Sequence, residues 1–213
     1  MLPVNSPEFI VNAASGSAAD IQAAVNQVAT AGDGTVIIPA GTFYWNNETV
    51  TIPGGVNVFG AGLAGCDGHP TFTEYNASTI LHNTAQPHPS NTATVNPMFY
   101  ANGINGRQVR ISGIQFEATP PSTSDDSGGD VAIIIYRMLD FRVDHCTFIN
   151  FSGTSVFATD SDTGNCRGVI DHCIISNPYK AVTGGQWAYG FYVQGYNYYW
   201  NDTTAPITNY LGN

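Results

Sequence analysis

Apolar and polar residues alternate along this chain in two different periods. Near the start, Ile21, Ala24, Val25 and Val28 fall at helical spacing behind Ser17-Ala18-Ala19-Asp20, which predicts an amphipathic helix over 17–31. Ser17 or Asp20 is placed to cap its start, and Ala31-Gly32-Asp33-Gly34 ends it. After the helix the period drops to two. Thr35-Val36-Ile37-Ile38-Pro39, Thr49-Val50-Thr51-Ile52-Pro53 and Val56-Asn57-Val58-Phe59 are short β-branched runs bounded by Gly, Pro and Asn, the pattern of short strands. No tight Asn-Gly hairpin links them, so a meander of antiparallel pairs is not the obvious solution.

A longer repeat organises the second half. Val109-Arg110-Ile111-Ser112-Gly113-Ile114-Gln115-Phe116, Phe141-Arg142-Val143-Asp144-His145-Cys146-Thr147-Phe148 and Gly168-Val169-Ile170-Asp171-His172-Cys173-Ile174-Ile175 align without gaps, starting 32 and then 27 residues apart. Apart from Gly168, apolar residues recur at the first, third, sixth and eighth positions. The alternation breaks at positions four and five, as a two-residue corner between two short strands requires. Variable spacing then means turns of variable length between coils that stack at about 4.8 Å, like position above like position. On that reading Ile111, Val143 and Ile170 form one inward column, Phe116, Phe148 and Ile175 a second, and Cys146 over Cys173 part of a third.

These motifs, with Gly34-Thr35-Val36-Ile37-Ile38-Pro39-Ala40-Gly41-Thr42-Phe43 and Ile52-Pro53-Gly54-Gly55-Val56-Asn57-Val58-Phe59-Gly60-Ala61-Gly62 behind the helix, resemble the N-terminal end of pectate-lyase-like superfamily proteins, tailspike-like members included. The resemblance covers most of residues 17–200 and implies an all-β right-handed parallel β-helix. One domain, 1–213, would carry the 17–31 helix as a cap and the coils over 35–213. Thr79-Ile80-Leu81 would continue the coil pattern. The superfamily contains lyases, hydrolases, epimerases and non-catalytic adhesins, so it specifies the fold far more tightly than the activity. Its members usually run on for further coils and a cap. This chain is therefore expected to be a fragment, or to have its last coil covered by a partner, with self-association through that uncapped end.

Composition narrows the functional classes. Hydrophobic residues make up 43% and charged residues only 10%, with a net charge of −10, against about 25% charged in an average domain. Such a neutral-polar surface fits an extracellular or cell-surface protein. The six bases are too few and too scattered to neutralise a nucleic-acid backbone or hold an anionic membrane. No apolar run reaches the roughly 18 residues a membrane span needs, and no signal peptide is visible at Met1-Leu2-Pro3. Cys66, Cys146, Cys166 and Cys173 follow no zinc-binding spacing; Cys146 and Cys173, near one another inside the core, are expected to pack as small hydrophobes rather than bond, and the partners of Cys66 and Cys166, in turns, are not readable. Four Asn-X-Ser/Thr sequons are no more than this Asn-rich composition supplies by chance.

Four groups of residues are candidates for chemistry. Asp144-His145 and Asp171-His172 stack at the corner, bringing two carboxylates and two imidazoles within one coil spacing. Two carboxylates so close raise one another's pKa, which suits acid–base work, and two imidazoles with a carboxylate are a divalent-metal donor set. The same residues also make sense as a polar corner ladder bonded to turn backbone, and that structural reading is preferred. The loop Ala158–Asn165 offers Asp160 and Asp162 near Arg142 and Arg167; paired carboxylates serve glycosidases, and the family resemblance implies an Arg or Lys base beside acidic calcium ligands in lyases. A solvated acidic turn is the plainer reading. Ser122–Asp130 is oxygen-rich, so calcium is a possible ligand although no cofactor is evident. Finally, Trp187, Tyr189, Phe191, Tyr192, Tyr196, Tyr198, Tyr199 and Trp200 crowd into 14 residues. Trp187, Tyr196, Tyr198, Tyr199 and Trp200 are the candidate carbohydrate-stacking residues, and the same exposed faces suit a protein partner equally. The expected function is an extracellular module that binds a polysaccharide or glycan, or assembles as an adhesin, tailspike-like or filament protein. The alternative is a polysaccharide lyase or glycoside hydrolase using Asp144, His145, Asp171, His172, Asp160 and Arg142.

Overall fold

The computed structural model describes residues 9–61, 78–85, 96–103, 107–120, 130–151, 153–160, 166–176 and 190–195. A short strand, β1 (Ile10–Asn12), precedes helix α1 (Ala18–Ala31). Ser17 caps the helix by accepting a hydrogen bond from the Asp20 amide at 3.2 Å, and Gly32 ends it at φ 110°, donating back to the Val28 and Ala29 carbonyls, both as the sequence predicts. Its apolar stripe, Ile21, Ala24, Val25 and Val28, is buried.

The rest of the described chain is strand and turn in a strict order of three. The first coil holds β2 (Gly34–Ile38), β3 (Gly41–Trp45) and β4 (Val50–Pro53). The second holds β5 (Val56–Gly60), β6 (Thr79–Asn83) and β7 (Phe99–Asn102), and the third β8 (Val109–Ser112), β9 (Ile114–Ala118) and β10 (Ile133–Tyr136). In the fourth come β11 (Phe141–Asp144), β12 (Thr147–Ile149) and β13 (Val156–Asp160), and in the fifth β14 (Gly168–Asp171), β15 (Ile174–Ser176) and β16 (Phe191–Gly195). Each coil gives one strand to each of three sheets. Sheet A runs β1-β2-β5-β8-β11-β14, sheet B β3-β6-β9-β12-β15 and sheet C β4-β7-β10-β13-β16. Every pairing is parallel. This topology is consistent with a β-helix-like solenoid. The helix packs on the first coil, where Gln22 bonds both the amide and the carbonyl of Thr51 and the Trp45 indole donates to Gly16 O at 2.9 Å.

The register carries the predicted columns. Val143 lies between Ile111 and Ile170 in sheet A, and Phe148 between Phe116 and Ile175 in sheet B. The Phe116 and Phe148 rings stack at 5.4 Å, while Phe99 meets Phe116 edge-on at 5.2 Å. Ile175 joins its column but stays 36% exposed on the last described rung of sheet B. Gly168, the one break in the apolar pattern, has its reason in the Phe141 ring: an added Cβ would lie 2.4 Å from it. The corner between sheets A and B turns on a left-handed residue, Gly113 (φ 71°), His145 (φ 53°) or His172 (φ 50°).

One expectation needs correction. Ala158, Thr159 and Asp160 are not the start of a loop. They complete β13, paired residue for residue with Val193, Gln194 and Gly195, because Val156-Phe157-Ala158 continues the alternation of a third strand.

Candidate functional site

Strand alternation sends Arg110 and Arg142 outward at one position of sheet A, and Ser112, Asp144 and Asp171 outward two residues further on. An arginine on one rung therefore faces, diagonally, the aspartate of the next. Arg110 grips Asp144 with two parallel bonds, Nε to Oδ1 at 2.8 Å and Nη2 to Oδ2 at 2.6 Å. Arg142 repeats this on Asp171 at 3.0 and 2.7 Å, and its Nε also lies 3.8 Å from Asp144 Oδ2. The left-handed corner turns each histidine back toward the aspartate before it: His145 Nδ1 is 2.7 Å from Asp144 Oδ2, and His172 Nδ1 is 2.8 Å from Asp171 Oδ2. The two imidazoles stack at 5.0 Å with 6° between their planes. Below them, the Arg110 guanidinium sits over the Phe59 ring at 5.4 Å, and the Arg110 amide donates to Asn57 Oδ1 at 2.9 Å.

The electrostatics of this ladder differ from the sequence expectation. Burial alone would raise the Asp144 carboxyl, whose side chain is fully covered. The hydrogen bonds from Arg110 and His145, with the charges of Arg110 and Arg142, outweigh it and hold the carboxyl below its ordinary value. Asp171 is held low mainly by the Arg142 hydrogen bond, against a smaller burial effect, with His172 adding to the lowering. The expected mutual raising does not occur, because a guanidinium stands between the two carboxylates and neutralises their repulsion. Both aspartates are ionised at neutral pH, and each already bonds two arginine nitrogens and one histidine nitrogen.

The remaining candidates separate. Arg167 pairs with Asp140, Nε to Oδ1 at 2.9 Å, and also donates to Leu139 O, so it joins the corner between sheets C and A. Asp160 ends β13, and its side chain lies outside the described residues, as do Asp162, Cys66 and 121–129 of the oxygen-rich segment. Trp187, Tyr196, Tyr198, Tyr199 and Trp200 also lie outside them. Among the described residues, no group of three or more His, Cys, Asp or Glu side chains is placed to hold a metal ion.

Two outward clusters escaped the sequence reading. On sheet B, the Tyr44 and His82 rings lie 5.6 Å apart, and His82 Nδ1 is 3.3 Å from Glu117 Oε2; Gln115 Nε2 bonds the other oxygen of Glu117. On sheet C, Tyr100, Ile134 and Phe157 follow one another up a single outward column. Tyr136 stacks on Tyr100 from the neighbouring column at 6.1 Å, and Arg137 lies over the Tyr136 ring at 5.0 Å. Burial, and then the neighbouring Tyr136, raise the Tyr100 phenol. The signal for both clusters is the strand register, which aligns residues 23 to 38 apart in sequence only once the strands of successive coils are placed.

No family model matches the chain, and no curated protein matches it. Among solved structures, ORF18 of Geobacillus virus E2 is similar with a TM-score of 0.41 and 14% identity, over 72% of this chain and 31% of the viral one. The chain thus spans about a third of that protein's length.

Proposed function

We propose that this chain is a right-handed parallel β-helix of the pectate-lyase-like type, acting outside the cell as a non-catalytic module that binds a polysaccharide or glycan. Three parallel sheets wound in a strict strand order support the architecture, and nearly all parallel crossovers in proteins are right-handed. The observation that carries the binding reading is the outer face of sheet C, where Tyr100, Tyr136 and Phe157 present partly exposed aromatic rings on successive rungs. Sugar rings offer apolar C–H faces to such rings and hydroxyls to their polar edges. A rigid sheet holds this platform without an ordering cost at binding.

The non-catalytic half of the proposal rests on Asp144 and Asp171. Both are occupied by arginines and held ionised, which suits a structural ladder better than a general acid. The alternative, a lyase or hydrolase working through Asp144, His145, Asp171, His172, Asp160 and Arg142, requires activity that disappears in an Asp144→Ala, Asp171→Ala double variant. Assembly with a second copy is favoured by one observation: Val169 and Ile175 on the fifth coil remain 54% and 36% exposed.

A glycan array followed by affinity electrophoresis in polysaccharide gels tests the binding claim. Tyr100→Ala with Tyr136→Ala is expected to weaken retention at least about tenfold, from about 1–3 kcal/mol per lost stacking contact, taking base–aromatic stacking as the analogue. Retention unchanged in that variant, or no retention of any glycan by the parent chain, would defeat the proposal.

A further inference from the structure

We infer that Cys146 and Cys173 form a disulfide bond that staples the fourth coil to the fifth, a modification independent of whether the chain binds glycans. Register puts the two cysteines on adjacent rungs at the same place: Asp144 faces Asp171 before them and Thr147 faces Ile174 after them, with no residue inserted on either side. The backbone bond from Ile174 N to Cys146 O, 2.9 Å, holds the rungs together at this point. Neighbouring parallel strands lie about 4.8 Å apart, inside the Cα separations that a disulfide spans. Both side chains follow one pattern. Cys146 Sγ lies 3.3 Å from Asp144 O and 3.9 Å from Ile111 O on the preceding rung. Cys173 Sγ lies 3.2 Å from Asp171 O and 3.6 Å from Val143 O. Cys173 thus leans toward the rung that carries Cys146. Both are free thiols in this structure.

The chemistry is thiol–disulfide exchange with a small-molecule disulfide such as oxidised glutathione. Cys173 is the entry point because it is half-buried, whereas Cys146 is fully buried. The Cys173 thiolate attacks one glutathione sulfur, breaks the S–S bond and releases one glutathione thiolate. The Cys146 thiolate then attacks Cys173 Sγ and expels the second glutathione. Two thiols are oxidised, one disulfide is reduced, and the two protons lost by the protein end on the two glutathiones. Burial, reinforced by the neighbouring Cys173, pushes the Cys146 thiol well up, so the second step is the slow one and accelerates with rising pH.

The test uses the full chain carrying Cys66→Ser and Cys166→Ser, incubated folded with oxidised glutathione at pH 8, then alkylated in denaturant and digested. The expected product is a cross-linked peptide pair joining Cys146 to Cys173, two hydrogens lighter than the sum of the reduced peptides. The Tm should exceed that of the dithiothreitol-treated protein by roughly 5–15 °C, from the loop the bond closes. Cys173→Ser, at a half-buried position, must abolish both. Two alkylated thiols after oxidation, a glutathione adduct that never resolves, or a cross-link with no gain in Tm would each overturn the inference.

Discussion

Removing the Asp144 carboxylate is the most informative single perturbation of the outer ladder. Its side chain is fully buried, yet it accepts two hydrogen bonds from Arg110 and one from His145, with Arg142 close by. A fully buried ion pair broken on one side costs about 3–5 kcal/mol, because the surviving charge is stranded. Here the surviving guanidiniums are 42% and 44% exposed, so water recovers part of that loss. Asp144→Ala is therefore expected to cost about 2–3 kcal/mol, or roughly 4–12 °C in Tm for a chain of this size. Asp171→Ala removes the same bidentate geometry from a carboxylate that is 26% exposed, facing an arginine that is 44% exposed, and should cost only about 0.5–1 kcal/mol. A thermal and urea denaturation series on the two single variants measures the difference. The Arg110→Ala, Asp144→Ala double variant should show a coupling of about 1–2 kcal/mol. If Asp144→Ala is no more destabilising than Asp171→Ala, the ladder is not a structural element. The carboxylates would then have to be retained for a ligand or a reaction, and the enzymatic alternative would regain its footing.

Four further outcomes follow from the same geometry. Asp144 and Asp171 hold folded-state pKa values below their unfolded values, so their stabilisation is complete above about pH 4 and lost as pH falls through the depressed values; Asp144→Asn with Asp171→Asn should flatten the acid limb of a Tm-against-pH curve, and an unchanged limb contradicts the assignment. Gly60→Ala places a Cβ 2.1 Å from Gly113 O and should cost about 1–3 kcal/mol by overpacking. Gly113→Ala meets only ordinary van der Waals contacts, the nearest at 3.9 Å, but must hold φ 71°, so its expected cost of about 1–2 kcal/mol is conformational. Phe116→Ala empties the centre of the Phe99–Phe116–Phe148 stack and should cost about 3–5 kcal/mol in urea unfolding.

Two of the three strands in each later coil were legible because only one or two residues separate them. The turn between β8 and β9 is Gly113 alone, and that between β11 and β12 is His145-Cys146, so an eight-residue window captures both strands and the corner. The third strand was not legible. β10 and β13 follow connections of differing length, and Ile133-Ile134-Ile135-Tyr136 is apolar on both faces, which blurs the period-two signal. In the second coil, residues 61–78 separate β5 from β6 and hide the same repeat. The site was half legible for a related reason. Asp144-His145 and Asp171-His172 stood out as a repeated pair, but the partner that sets their chemistry lies one rung away and two residues earlier. Arg110 reaches Asp144 only when Phe141 aligns with Val109, and a slip of one residue would turn every one of these side chains to the other face.

For the proposed glycan binding, that geometry favours sheet C over the charged face of sheet A. On sheet A, each arginine and aspartate completes the valence of its neighbour on the next rung, and each histidine is tied through Nδ1 to the adjacent carboxylate. A ligand there must displace bidentate ion pairs before it gains anything, a cost that a neutral sugar hydroxyl does not repay. On sheet C the outward side chains include Tyr100, Ile134, Phe157 and Tyr136. Covering that face removes the apolar surface of these side chains from water. A ligand that is neutral, flat on one side and rich in hydroxyls therefore gains most on sheet C and least on sheet A, and the prominence of a charged motif in this sequence is a poor guide to where such a ligand binds.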